Sequence, residues 1–285
     1  MIAYGLSITV FEEHIRLIRR RRAGTEALMD AFTRLVNLAS EEGYLVVELL
    51  APPRWLQIGR EDVERFRELC SSKGLEVRVH QYPSDNIASP SEYAWRSNLN
   101  SLLRSLEVAS SMGASCFIVH PGFYRRITGS EAARSRARAA LYELVDKAQE
   151  LGIRLLVENN SRGSSIYISP DEMLDLVREF NVRIVFDPAH AYRSGFNPLE
   201  FYRDLRDHID EVHVNDALDN REHLPVGEGM IDYSSLIKEI GPEPKHVFVI
   251  ETCDIKGAKA SREYLERELE KLRSRATSEP LNQID

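Results

Sequence analysis

Short uninterrupted apolar runs alternate along this chain with longer stretches whose apolar positions recur every three or four residues. The short runs cover residues 3–9, 44–49, 75–80, 116–120, 153–158, 182–187, 211–215 and 246–251. Continuous apolar runs of that length suit strands buried on both faces, as in a parallel sheet. Between them, SLLRSLEVASSM and ALYELVDKAQEL carry the spacing of amphipathic helices. The punctuation agrees with that division. Ser89-Pro90-Ser91-Glu92 and Ser169-Pro170-Asp171-Glu172 each predict an N-cap serine, a proline in the first turn and a glutamate closing a capping box. Gly43, Gly74, Gly113 and Gly152 stand just before predicted strands, where a helix ends most easily on glycine.

Eight strand–helix units predict an α/β fold, a single-domain (β/α)8 TIM barrel over residues 1–273, with residues 274–285 as a flexible tail. The competing open doubly wound sheet often opens on a GxGxxG turn, which the first strand lacks. No apolar run is long enough to span a membrane, and no basic segment followed by a long apolar one opens the chain, so a cytoplasmic setting is expected. The three cysteines form no CxxC pair, which argues against a disulfide framework. Nothing in the pattern sets an oligomeric state.

A barrel of this kind places its chemistry at the C-terminal ends of the strands. Read in order, those ends carry Glu48, His80, His120, Glu158, Asp187, His213 and Glu251, followed by His190 and His223. Five of the eight histidines therefore fall on one rim, while His14, His208 and His246 suit surface or lower-face positions. Burying so many ionisable groups together without a cation costs several kcal/mol each. Histidine and carboxylate ligands without thiolate suit Zn²⁺, Mn²⁺ or Co²⁺, with Mg²⁺ an option at a carboxylate-rich subsite. Cys116 and Cys253 are read as packing residues. The net charge of −8 gives no global attraction for nucleic acid, although a local basic cleft is compatible with it. Arg125 and Arg126, together with the arginine run at 19–22, are the candidates for such a cleft.

The motifs VHQYPSDNIASP (79–90), VHPG (119–122), VENNSRG (157–163), FDPAHAY (186–192), HVNDA (213–217), HLPVGEG (223–229) and IET (250–252) resemble the xylose isomerase-like TIM-barrel superfamily. That superfamily contains sugar isomerases and epimerases and the endonuclease IV group of abasic-site repair enzymes. Its epimerase branch implies one metal held by Glu158, Asp187, His213 and Glu251. The two glutamates are then the catalytic pair that moves a proton on either face of the carbon beside a carbonyl, and His190 binds a substrate hydroxyl. The endonuclease IV branch implies three ions. His80, His120 and Glu158 hold the first, Glu158 bridges to a second on Asp187, His213 and Glu251, and His190 and His223 serve the third. The remaining third-ion ligand in that branch is an aspartate two residues before His223, where this chain has Arg221. A guanidinium repels a dication.

On that ground the sequence favours a sugar or sugar-phosphate isomerase or epimerase working through an enediolate with one to three divalent ions. Glu48, His190, His223 and Arg221 are then substrate-binding residues, with Arg221 a phosphate clamp. Asp216 is read as a loop-orienting residue. The alternative is a phosphodiester hydrolase with DNA as its partner, which accounts for His80 and His120.

Overall fold

The structure, a computed structural model, describes residues 3–11, 24–124, 129–161, 163 and 165–278. Eight parallel strands close a barrel: β1 (Tyr4–Ser7), β2 (Val46–Ala51), β3 (Glu76–Gln81), β4 (Ala114–Val119), β5 (Arg154–Glu158), β6 (Arg183–Phe186), β7 (Ile209–Val214) and β10 (Val247–Ile250), each bonded to its sequence neighbour and β1 to β10. The intervening β8 (Asp216–Leu218) and β9 (Arg221–Leu224) form a separate antiparallel hairpin. Helices α1 (Thr25–Glu41), α2 (Arg60–Ser72), α3 (Glu92–Ser111), α4 (Ser130–Leu151), α5 (Pro170–Phe180), α6 (Pro188–Arg193), α7 (Pro198–Leu205), α8 (Tyr233–Ile240) and α9 (Ile255–Ser278) connect and surround the strands. The single-domain (β/α)8 barrel expected from the pattern is the observed fold. Among the described residues no helix is long and apolar enough to cross a membrane.

Two apolar layers follow from the two-residue period of the strands. Val77 and Val79, Val157, Ile184 and Phe186, and Phe248 and Ile250 face outward and join the main core beneath the helices. Among the described residues the inward apolar positions are few: a small cluster of Cys116, Ile118, Leu156 and Val185, with Val46 and Val249 beside Gly5. Continuing the same period places Arg78 and His80, Glu48, Glu158, Asp187, Glu211 and His213, and Glu251 on the inner face. Barrel interiors are more often filled with branched apolar side chains. This one is polar from its middle to its upper rim.

The caps refine the sequence expectations. Ser169 and Glu172 do form a reciprocal capping box on α5. For α3 the N-cap is Ser91 rather than Ser89: Ser91 has extended backbone angles, and its hydroxyl accepts from the Ala94 N–H. Residues 274–278 continue α9 as helix, and the rest of the expected tail lies outside the described residues. Cys116 is fully buried as expected, whereas Cys253 is exposed, because it follows the buried Thr252 into the turn leading to α9. His14, the arginine run at 19–22, Arg125 and Arg126 lie outside the described residues.

Candidate metal centre

Glu158, the last residue of β5, is the hub of the upper rim. Its Oε2 lies 2.8 Å from Nε2 of His80 on β3 and 3.3 Å from Nε2 of His120, just past β4. Its Oε1 lies 3.1 Å from Nδ1 of His190 and 3.2 Å from Nδ1 of His213. Two potential ligand groups share this carboxylate: His80, His120 and Glu158, and Glu158, Asp187 and His213. Glu251, just past β10, extends the second group, with Oε2 at 3.2 Å from the same Nδ1 of His213.

Neighbouring amides and carboxylates fix these side chains. Asp187 caps α6 by accepting from the His190 N–H at 2.8 Å, and its other oxygen accepts from the Asn215 side chain at 2.9 Å. Asn159 clamps the Asp187 backbone from both sides, donating to its carbonyl and accepting from its N–H. The His190 ring reaches the Asn159 carbonyl at 2.9 Å. Packing completes the arrangement, with His80–His120 and His120–His190 ring centroids 5.0 and 5.8 Å apart.

Charge compensation dominates the titration of the cluster. Burial alone would raise the Glu158 carboxyl, but His120, His213 and His190 hold it well below the usual range. The same opposition, with His213 and His223 outweighing burial, brings Glu251 down to about 2. Burial works against the charge of His80, yet Glu158 and Glu48 raise its pKa to about 9. Asp187 and Glu158 raise His190 to about 10 against burial. His120 goes the other way: desolvation wins and lowers it to about 4. The carboxylates thus demand positive charge, which protons on imidazole or divalent cations can supply.

A divalent ion fits these donors on one specific observation. Nδ1 of His213 is fully buried, and no described group makes it a hydrogen bond. Around it stand Glu158 Oε1, Glu251 Oε2 and, at 4.0 Å, Asp187 Oδ2. Once deprotonated, this nitrogen would join the three carboxylate oxygens as a donor set for zinc or manganese.

The cavity above this cluster has a volume of about 280 Å³, and His80, His120, Glu158, His190, His223 and Glu251 line it. Phe123, nearly half exposed, stands at its edge and is held there by Asn86, which bonds both the N–H and the carbonyl of Phe123. His223 reaches the Glu251 carbonyl through Nδ1 at 3.2 Å and adopts a left-handed φ of 60°.

Two residues expected at the substrate stand elsewhere. Glu48 is only 1% exposed and does not line the cavity; its Oε2 lies 3.2 Å from His213 Nε2, below the metal ligands. The reason is length: β2 runs on to Ala51, which leaves Glu48 in mid-strand rather than at the rim. Arg221 opens β9, is exposed, and does not line the cavity either. The left-handed turn at His223 interrupts strand alternation, so His223 reaches the cavity without bringing Arg221 along. The adjacent Glu222 pairs with Arg193 at the end of α6, and no third ligand group joining His190 to His223 occurs among the described residues. Asp216 organises the loop, as expected. Its carboxylate accepts from the N–H groups of Ala217, Gly227, Gly229 and Ile231.

Sequence reasoning passed over Arg78 and Glu211. Both stand two residues before a rim histidine, in VRVH and EVHV, and the strand period alone put them on the inner face.

Residues 36–275 match a family profile described as xylose isomerase-like TIM barrel. Endonuclease 4 of Thermus thermophilus is 28% identical over 219 residues, covering 67% of this chain and 74% of that protein. A probable endonuclease 4 of Mesomycoplasma hyopneumoniae is 25% identical over 181 residues, 58% of this chain and 64% of the relative. Among solved structures, a D-tagatose 3-epimerase-like protein superposes with a TM-score of 0.80 at 24% identity, over 96% of this chain and all of that one. Endonuclease IV from Thermus thermophilus superposes at 0.67, also at 24% identity, over 95% and 99%. Both structural matches establish the fold alone.

Proposed function

From the premise that the chain belongs to the xylose isomerase-like TIM barrel family, we propose that it is a divalent-metal-dependent phosphodiester hydrolase with two adjoining ion sites that share Glu158. The observation that carries this reading is the sharing of Glu158 between two ligand groups. His80 and His120 converge on one of its oxygens, and His213 with His190 on the other. One-ion proton-transfer chemistry has no use for His80 and His120. The two residues that favoured sugar chemistry in the sequence, Arg221 and Glu48, do not line the cavity.

Bound there, zinc or manganese supplies an activated water and polarises a phosphoryl oxygen. The chain's own residues do the rest. His80, His120 and Glu158 would hold one ion, and Glu158, Asp187, His213 and Glu251 the other. His190 and His223 face the cavity, where they hydrogen-bond phosphate oxygens. The curated relatives are named endonucleases, and the motif resemblance to the endonuclease IV group implies DNA carrying an abasic site as the substrate.

Zinc- or manganese-loaded protein is expected to hold two ions per chain and to nick a duplex with a single abasic site at low salt. Glu158→Gln should lower kcat by about 10²-fold or more, because both ions lose a shared ligand. Two bound ions without any nicking of such a duplex would overturn the substrate, and a single ion would overturn the mechanism.

A second reading has one observation of its own. Glu158 Oε1 and Glu251 Oε2 both lie 3.2 Å from His213 Nδ1, which supplies two carboxylates at one centre, as proton transfer on two faces of one carbon requires. Solvent deuterium appearing in a ketose or ketose phosphate beside its carbonyl is the result that favours isomerase or epimerase activity.

A further inference from the structure

Beneath the metal ligands lies a chain of charges that the proposed reaction does not touch. Nε2 of His213 lies 2.9 Å from Glu211 Oε1 and 3.2 Å from Glu48 Oε2. On its far side Glu211 accepts from Arg78 Nη1 through Oε2, at 2.6 Å. Arg78 continues downward to Glu76 at 2.9 Å and Asp210 at 3.0 Å. Glu211, His213, Glu48 and Arg78 are all at most 2% exposed.

We infer that Glu211 is a positioning residue that fixes the tautomer of His213, and that Arg78 makes this assignment one-way. The inference rests on the reading of His213 as a metal ligand. A carboxylate accepts hydrogen bonds and donates none, so in the neutral, metal-binding ring the proton belongs on Nε2 and the lone pair on Nδ1. That nitrogen is the one facing Glu158, Asp187 and Glu251. Arg78 has five donors and no acceptor, so the opposite end of Glu211 must also remain an acceptor. The network therefore relays a fixed donor–acceptor polarity from the lower face to the metal centre. Partners of this kind set ring orientation and ligand basicity at metal-bound histidines. A purely adhesive buried ion pair has no such polarity requirement.

Glu211→Gln tests the point with almost no change in volume. The glutamine must keep its carbonyl oxygen toward Arg78 and present its NH2 to His213, which removes the nearer acceptor, leaves only Glu48 at 3.2 Å, and shifts the ring proton toward Nδ1. Zinc affinity at the Glu158–Asp187–His213–Glu251 group should fall tenfold to a hundredfold. Long-range proton–nitrogen NMR correlations of the His213 ring in metal-free protein, at a pH high enough to leave the ring neutral, should show the proton moved from Nε2 to Nδ1. In the double variant Arg78→Met with Glu211→Gln, the amide can turn its oxygen to the ring, and affinity should recover relative to the single variant. Unchanged zinc affinity with the proton still on Nε2 in Glu211→Gln would overturn the inference. So would a double variant that folds yet binds zinc more weakly than the single one. Should the double variant not fold, the ring proton of the single variant decides. Should wild-type protein bind no zinc, the metal reading fails, while the metal-free NMR still tests the polarity of the network.

Discussion

Asp85 shows how far one side chain's burial reaches. It lies in the loop after β3, 6% exposed, with Ser101 as a hydrogen-bond donor at 3.3 Å. Burial raises its pKa from 3.8 to about 6, against the smaller effect of Ser101. Below about pH 4 both folded and unfolded chains hold the proton, and Asp85 costs nothing. As pH rises from about 4 to 6 the unfolded chain ionises first, so stability falls through that window and stays lower above it. Asp85→Asn should therefore stabilise the protein at pH 7, by up to about 3 kcal/mol, and flatten this part of the pH profile. Urea unfolding at pH 4 and pH 7 measures both; an equal effect at the two pH values would show that ionisation is not the cause. At this scale the sequence was legible for ligand types and blind to neighbours. Glu158, Asp187, His213 and Glu251 announce themselves at predicted strand ends, but their partners do not. Whether Glu48 sits at the substrate or under a histidine depends on where β2 stops, and a two-residue difference moves it a full layer.

Among the elements, the β8–β9 hairpin was the least visible in the pattern. Its strands are only three and four residues long, and a lone two-stranded hairpin of that size has little stability of its own. What holds the segment is Asp216, acting as a hub for four backbone N–H groups, and the Arg193–Glu222 pair to α6. A periodicity argument cannot detect such support, whereas the eight barrel strands, buried on both faces, stand out from it plainly. The hub also explains the glycine at 229. A Cβ there would lie 2.2 Å from Asp216 Oδ1 and 2.5 Å from the Ala217 carbonyl. Gly229→Ala must push the carboxylate off its donors, with an expected cost of about 2–4 kcal/mol. Because the same loop carries His223 to the cavity, KM should rise as well. A folded Gly229→Ala variant with wild-type melting temperature and KM would show that the hub is dispensable.

The whole barrel supplies what no segment can. Closure between β1 and β10 brings His80 and His213 within 5.8 Å, ring to ring, although far apart in sequence. The cost is an interior with few apolar contacts above its lower layer, where stability depends on charge balance. In the metal-free protein, His80 and His190 contribute as cations, with pKa values raised to about 9 and about 10 by Glu158 and Asp187 against burial. Groups raised in the folded state stabilise it fully below about pH 6.5, and that stability is lost as pH rises through the folded values. Metal binding has the opposite sign, since imidazole must shed its proton to ligate, so affinity grows with pH. The two trends diverge: the melting temperature of metal-free protein should decline between pH 7 and pH 9, while zinc-loaded protein holds level. At a hundredfold excess of zinc over its Kd the gain is about 2.7 kcal/mol, or about 5–10 °C for a chain of this size. Calorimetric scans with zinc and with chelator at both pH values measure the gap. A gap that stays constant or closes toward pH 9 would mean that these histidines are not exchanging protons for metal.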